Sequence, residues 1–290
     1  MRKHLINVAV LMLLAGSSRP AIAQSAAAVR FDSLRDGGVV VSVAIGGRGP
    51  FRVLIDTGSN RSAIGNRLVS VLGLAPVAKS SVVTSTGVST QPVVRLPEVV
   101  FGPASKSGLL TTAIPDAELR AALGIGVDGI LGQDFLSGFA FTIDYRRHEF
   151  RFGRAAESAT GRDVRVTLRK TEGRFLADLP QDTACRCVLR FVPDSGADAM
   201  VLFETARGGR VDAEREDHRT ELTTLGGSAL ARAVTIRALQ VGSVTLRNQP
   251  GTVITRDEVD GPDGDGLLPL HLFASVSFNM AEGYMVMRPR

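Results

Sequence analysis

The chain has 290 residues, 44% of them hydrophobic and 22% charged, with 34 lysines and arginines against 29 acids. That length allows one large or two small domains, each with a sizeable core. The basic residues are scattered rather than clustered, which argues against a nucleic-acid partner. The four histidines lie far apart without ligand spacing, so neither a zinc site nor a cysteine nucleophile is indicated.

Residues 1–23 read as a secretory signal peptide: Arg2 and Lys3, an apolar run from Leu5 to Leu14, then the small-x-small site Ala21-Ile22-Ala23. The run is too short for a stable bilayer anchor, and no cysteine follows Leu14-Ala15-Gly16 to carry a lipid. The expectation is export to the periplasm or the medium, no stable membrane insertion, and a mature chain starting near Gln24. Loss of Arg2, Lys3 and Arg19 leaves 31 bases against 29 acids, a net charge of +2.

Beyond the leader, short runs rich in Val, Leu, Phe and Thr alternate with Gly, Pro, Asn and Asp turns, the pattern of an all-β chain. Val39 to Ile45, the turn from Gly46 to Pro50 and Phe51 to Ile55 predict a hairpin that runs into Asp56-Thr57-Gly58-Ser59. Helix is expected over Asn66 to Leu72 and Pro115 to Leu123, with a turn around Gln133 to Leu136. Arg154 to Gly161 has linker composition. A second hairpin, Phe175 to Leu179 and Val188 to Val192, runs into Asp194-Ser195-Gly196-Ala197. Cys185 and Cys187 are separated by one residue near a turn, where closing a disulfide would demand strained geometry. A free or reversibly oxidised pair is expected.

The second half repeats the first. Thr84-Ser85-Thr86-Gly87 is matched by Thr223-Thr224-Leu225-Gly226-Gly227, and Asp128-Gly129-Ile130-Leu131-Gly132 by Asp265-Gly266-Leu267-Leu268-Pro269. Asp56 to Gly87 is 31 positions and Asp194 to Gly226 is 32; Asp56 to Gly129 is 73 and Asp194 to Gly266 is 72. Phe139 to Asp144 and Ser275 to Asn279 follow in the same order. Landmarks repeated at one long period indicate two homologous lobes rather than a solenoid.

On these motifs the chain resembles aspartic peptidases of the pepsin and retropepsin type, in the bilobal single-chain form found in bacteria, over nearly all of its mature length. The resemblance implies two β-barrel-like lobes, residues 24–157 and 158–290, with an active-site cleft between them. It implies a dyad of Asp56 and Asp194, one from each lobe, supported by Thr57, Gly58, Ser59, Ser195 and Gly196. The hydroxyls of Thr57 and Ser195 match positions where the family interlocks them across the lobe interface. Hairpin tips at Thr86, Gly87, Gly226 and Gly227 match flaps that close over an extended peptide; both are small-residue tips without tyrosine, closer to a fused retropepsin dimer than to a pepsin. The activity implied is endopeptidase cleavage of a peptide or unfolded protein, without cofactor or metal, by a chain that has no need to dimerise.

The chemistry suits the residues. Hydrolysing an amide without a covalent intermediate needs one group to take a proton from water and another to give one to the carbonyl. Two aspartates a few Å apart cannot both ionise easily, so they share a proton. A Ser59 hydroxyl donating to Asp56, with no counterpart at Ala197, would make Asp56 the more acidic partner and keep the dyad working nearer neutral pH. Pro269 stands where Gly132 stands, so the second lobe's later strand is expected to leave its loop differently. Pro193 biases Val192 to extended structure. These departures leave open an alternative, a catalytically silent peptide-binding protein that keeps the cleft. Gly124 to Gly129 imitates a dinucleotide fingerprint but opens no long helix, and Asp263 to Gly266 lacks the remaining ligands of a calcium loop.

Overall fold

The computed structural model describes residues 28–34, 37–83, 88–153, 163–171, 173–181, 187–204, 211–224, 227–255 and 264–290. The leader, the expected linker, Cys185 and the proposed flap residues Thr86, Gly87 and Gly226 lie outside them. The described chain is mostly β-strand, as expected, and among its residues no helix is long and apolar enough to cross a membrane.

Each half is built around the same interlocked set of strands. Val39–Ile45 and Arg48–Ile55 pair antiparallel through a two-residue turn, Gly46-Gly47, whose φ angles of 57° and 71° give the twist a tight hairpin requires. Val39, Val41, Val43 and Ile45 alternate into the core. The later strand Gly129–Leu131 then inserts beside this hairpin, parallel to Arg48–Ile55 and antiparallel to Ala63–Gly65. In the second half Arg174–Pro180 and Val188–Asp194 form the hairpin, and Gly266–Pro269 inserts parallel to Val188–Asp194 and antiparallel to Met200–Glu204.

The repeated Asp-Gly pairs owe their identity to this insertion. Asp128 accepts the Arg52 N–H at 2.9 Å and donates its own N–H to the Arg52 carbonyl at 2.7 Å. Asp265 does the same with Arg190, at 2.8 and 2.6 Å. A Cβ on Gly129 would lie 2.5 Å from the Ala63 carbonyl oxygen, and one on Gly266 2.2 Å from that of Val201. Only glycine lets the inserted strand approach so closely. Asp128-Gly129 of the false nucleotide fingerprint and Asp265-Gly266 of the calcium fragment are thus strand clamps, Asp263 lying outside the described residues, and Gly124, at φ 64°, caps a helix.

The two expected helices form as Asn66–Leu72 and Asp116–Leu123, and the expected turn closes into a one-turn helix, Gln133–Leu136. Pro269, like its counterpart Gly132, leads straight into a short helix, here Leu270–Leu272, so the expected difference in how the second strand leaves its loop is not seen at this point. The halves join where Phe141–Asp144 pairs antiparallel with Ser275–Asn279. There the Thr142 and Ser277 hydroxyls meet at 2.8 Å, and the rings of Phe141 and Phe278 stack at 4.9 Å. Both rings are buried, each worth about 1.5–3 kcal/mol of apolar transfer.

Two expectations need correction. The lobes are not closed barrels: a thirteen-stranded and a ten-stranded sheet both end in unpaired edges, because the strands Asp212–Thr224 and Pro76–Val83 project in hairpins instead of returning to close a ring. Those hairpins are unequal. The first has strands of eight residues each, the second of 13 and 15, and the second comes alongside helix Asp116–Leu123 of the other lobe. The pair therefore lacks the symmetry of a fused dimer. Cys187 is disulfide-bonded, the oxidised of the two expected states; it precedes the strand Val188–Asp194 instead of lying in it, so flat-strand geometry does not constrain it.

Candidate active site

Asp56 and Asp194 emerge at the ends of equivalent strands, Arg48–Ile55 and Val188–Asp194, and face one another across the lobe interface. Each carboxyl lies against the turn glycine of the other. Asp56 is partly buried and Asp194 is 8% exposed. Each is held by the turn that follows it. Gly58 and Ser59 donate backbone N–H groups to Asp56 Oδ1 at 2.9 and 3.0 Å; Gly196 and Ala197 donate to Asp194 Oδ1 at 2.8 and 3.1 Å.

The glycines make room for the opposite carboxyl. A Cβ on Gly58 would sit 2.4 Å from Asp194 Oδ2, and one on Gly196 would sit 3.1 Å from Asp56 Cγ. Between the loops lies a reciprocal exchange of hydroxyls. Thr57 Oγ1 donates to the Pro193 carbonyl at 2.8 Å and accepts the Ser195 N–H at 3.0 Å. Ser195 Oγ donates to the Ile55 carbonyl at 2.7 Å and accepts the Thr57 N–H at 3.1 Å. Both side chains are buried, so four backbone groups that water cannot reach are satisfied by two hydroxyls from the opposite lobe.

Pro193 fits this arrangement because the exchange uses its carbonyl and not an N–H. Gly132 and Pro269 differ for a local reason. A Cβ on Gly132 would lie 2.7 Å from the Arg61 backbone, and its N–H donates to Ser62 Oγ at 3.1 Å. In the second lobe Pro269, which pairs with Asp194, has no N–H to give.

The two carboxyls are not equivalent. Burial raises both above the ordinary carboxylate range. Asp194 is raised well above it, by burial first and then by the charge of Asp56, with the Gly196 and Ala197 N–H groups opposing. For Asp56 the same burial is countered by the Gly58 and Ser59 N–H groups, by the hydrogen bond from Asp194 and by the Arg174 guanidinium. Asp194 is therefore the member of the pair that holds a proton more readily. The expected asymmetry is present, but its expected cause is not: Ser59 Oγ donates to the Arg61 carbonyl at 2.8 Å, and only the Ser59 backbone reaches Asp56.

Of the expected flap residues, Gly227 pairs with Thr224 at the end of the long hairpin. Two residues close to the dyad carried no sequence signal. Gln133 is buried and donates from Nε2 to the Thr57 carbonyl at 2.8 Å, steadying the grip from the first lobe. Arg174 comes from the second lobe's hairpin. Among the described residues no group of three or more His, Cys, Asp or Glu side chains is arranged to hold a metal ion.

Two strand-borne aspartates, meeting through paired Asp-hydroxyl-Gly turns, define an acid-protease-type site. The aspartyl protease family model matches residues 41–135 and 186–271, one segment in each half. The chain belongs to that family. No match to it was found among curated proteins.

Proposed function

We propose that the chain is an exported aspartic endopeptidase that acts as a monomer, with Asp56 and Asp194 as its catalytic pair. The observation that carries this reading is the pair of carboxyls, each lying against the turn glycine of the other and held together by hydroxyls from opposite lobes. A silent binding protein has no need for two buried carboxyls sharing a proton, an arrangement that works against stability.

Water bound between the carboxyls would lose a proton to Asp56 as its oxygen attacks the scissile carbonyl, while Asp194 passes its proton to the carbonyl oxygen. The tetrahedral diol then collapses: a proton moves to the amide nitrogen, the C–N bond breaks, and the dyad returns to one shared proton. Burial strengthens these transfers by keeping other water away. The hairpins tipped by Thr86-Gly87 and Gly226-Gly227 would hold the peptide extended, pairing with its backbone as an added strand. No cofactor enters this scheme. A peptide with a hydroxyl-bearing tetrahedral carbon in place of the scissile amide tests the reading. Calorimetry should show it binding at least a hundredfold tighter than the parent peptide, and equal affinity would point to a silent binder.

A further inference from the structure

The two aspartates are cradled alike, yet one cradle has a donor behind it that the other lacks. The Gly58 N–H that bonds Asp56 Oδ1 at 2.9 Å belongs to the peptide group whose carbonyl is that of Thr57. That carbonyl accepts the Gln133 Nε2–H at 2.8 Å. The Gln133 amide, the Thr57–Gly58 peptide and the Asp56 carboxyl therefore form one hydrogen-bonded series. A donor at the oxygen of a peptide polarises the group and strengthens its N–H as a donor, by about 10–30% per bond.

The second lobe has the same series without its first link. Leu131 pairs with Ile55 and Leu268 with Pro193, the residues just before Asp56 and Asp194, which makes Leu270 the counterpart of Gln133. Gly196 gives its N–H to Asp194 Oδ1 at 2.8 Å, as Gly58 does to Asp56. Leu270 has nothing to donate to the Ser195 carbonyl, and among the described residues no other side chain donates to it. Both Gln133 and Leu270 are buried, so a side chain without polar atoms fits this position. Among the described residues no donor meets Gln133 Oε1, and the side chain's one bond is the one through Nε2.

We propose that Gln133 is the positioning residue that, acting through the Thr57–Gly58 peptide, favours the ionised form of Asp56 and makes it the base of the dyad. The proposal rests on the endopeptidase reading. Among the described residues the charged groups acting on Asp56 are Asp194 and Arg174, and a substitution at Gln133 leaves both in place. Next to Gln133, Asp134 is engaged by the Ser62 N–H and hydroxyl at 3.0 and 2.6 Å. Lys106 donates to the Asp134 and Phe135 carbonyls at 2.6 and 3.2 Å.

The test is an NMR titration of the full mature chain with isotope-labelled aspartate carboxyls and glycine amides. It compares the wild type with Gln133→Leu and Gln133→Met, beside kcat/KM against pH. Leucine copies the second lobe, and methionine keeps an unbranched stem should leucine pack badly. Neither removes the Gln133 N–H, which donates to the Ser59 carbonyl at 2.8 Å and anchors the loop. The Gly58 amide proton should move upfield in both variants while that of Gly196 stays. The first ionisation of the pair, read at Asp56, should rise by about 0.1–0.7 pH unit, the polarised share of one charge-assisted bond. The acidic limb of kcat/KM should rise with it, a loss of up to about fivefold below the limb. Gly58 and Gly196 shifting alike, an unmoved first ionisation, or a rate lowered equally at every pH would overturn the proposal. If the wild-type chain cleaves nothing, the endopeptidase reading fails, and the titration alone decides what Gln133 does to Asp56.

Discussion

Replacing Thr57 with valine keeps the shape of a β-branched side chain and removes the hydroxyl. Two buried backbone groups then lose their partners: the Ser195 N–H, which Thr57 Oγ1 accepts at 3.0 Å, and the Pro193 carbonyl, to which it donates at 2.8 Å. Each orphaned buried group costs about 1–3 kcal/mol, so Thr57→Val should destabilise by about 2–6 kcal/mol. Ser195→Ala orphans the other two groups, the Thr57 N–H and the Ile55 carbonyl, and should cost a similar amount. The double variant should cost less than the sum, because water reaches all four groups once the interface opens. Thr57→Ser keeps the hydroxyl and should fall within about 1 kcal/mol of wild type, since most such losses come from unpaired polar groups. Urea unfolding of the mature chain measures all four. Thr57→Val and Thr57→Ser of equal stability, or strict additivity in the double variant, would refute the idea that the hydroxyl exchange clamps the lobes.

Three further outcomes follow from the same geometry. Gly58→Ala should abolish activity, because its Cβ would lie 2.4 Å from Asp194 Oδ2, while Gly196→Ala, at 3.1 Å from Asp56 Cγ, should leave a measurable residue; kcat/KM for each decides the order. Asp194→Asn should raise the melting temperature above neutral pH and leave it unchanged at pH 3. A carboxyl whose folded pKa lies above its unfolded one contributes stability that is complete below the unfolded value, about 3.9, and is lost as pH rises through the folded value. Calorimetry across that range checks the sign, and a stabilisation that grows toward low pH would contradict it. Gln133→Leu, which copies the buried Leu270 that follows Pro269 in the second lobe, should cost about 1–3 kcal/mol by stranding the Thr57 carbonyl.

What could be read from the sequence was what repeats or is written locally. The Asp loops, the inserted Asp-Gly strands and the first lobe's helices are local patterns written into turn glycines and apolar alternation, and they form where that chemistry puts them. The cross-lobe hydroxyls at Thr57 and Ser195 were reached through family resemblance alone. What stayed hidden depends on how a loop folds back on itself or on neighbours remote in sequence. Nothing near Ser59 reveals that the Arg61 carbonyl will capture its hydroxyl, since that is settled by how the loop folds back. Gln133 reads as an ordinary helix-start residue until the Thr57 carbonyl arrives from 76 positions away. The unequal hairpins were missed because glycine and threonine mark a tip but not the length of the strands leading to it.

The central claim is that Asp56 and Asp194 together cleave peptide bonds. Incubating the mature chain with an unbiased peptide mixture from pH 3 to 8, beside Asp56→Asn and Asp194→Asn, tests it most directly when mass spectrometry reads the products. The account predicts cleavage by the wild-type chain that extends toward neutral pH, because Asp194 holds its proton there, and its loss in both variants. Cleavage that survives in either variant, or folded wild-type protein that cuts nothing at any pH, would contradict it.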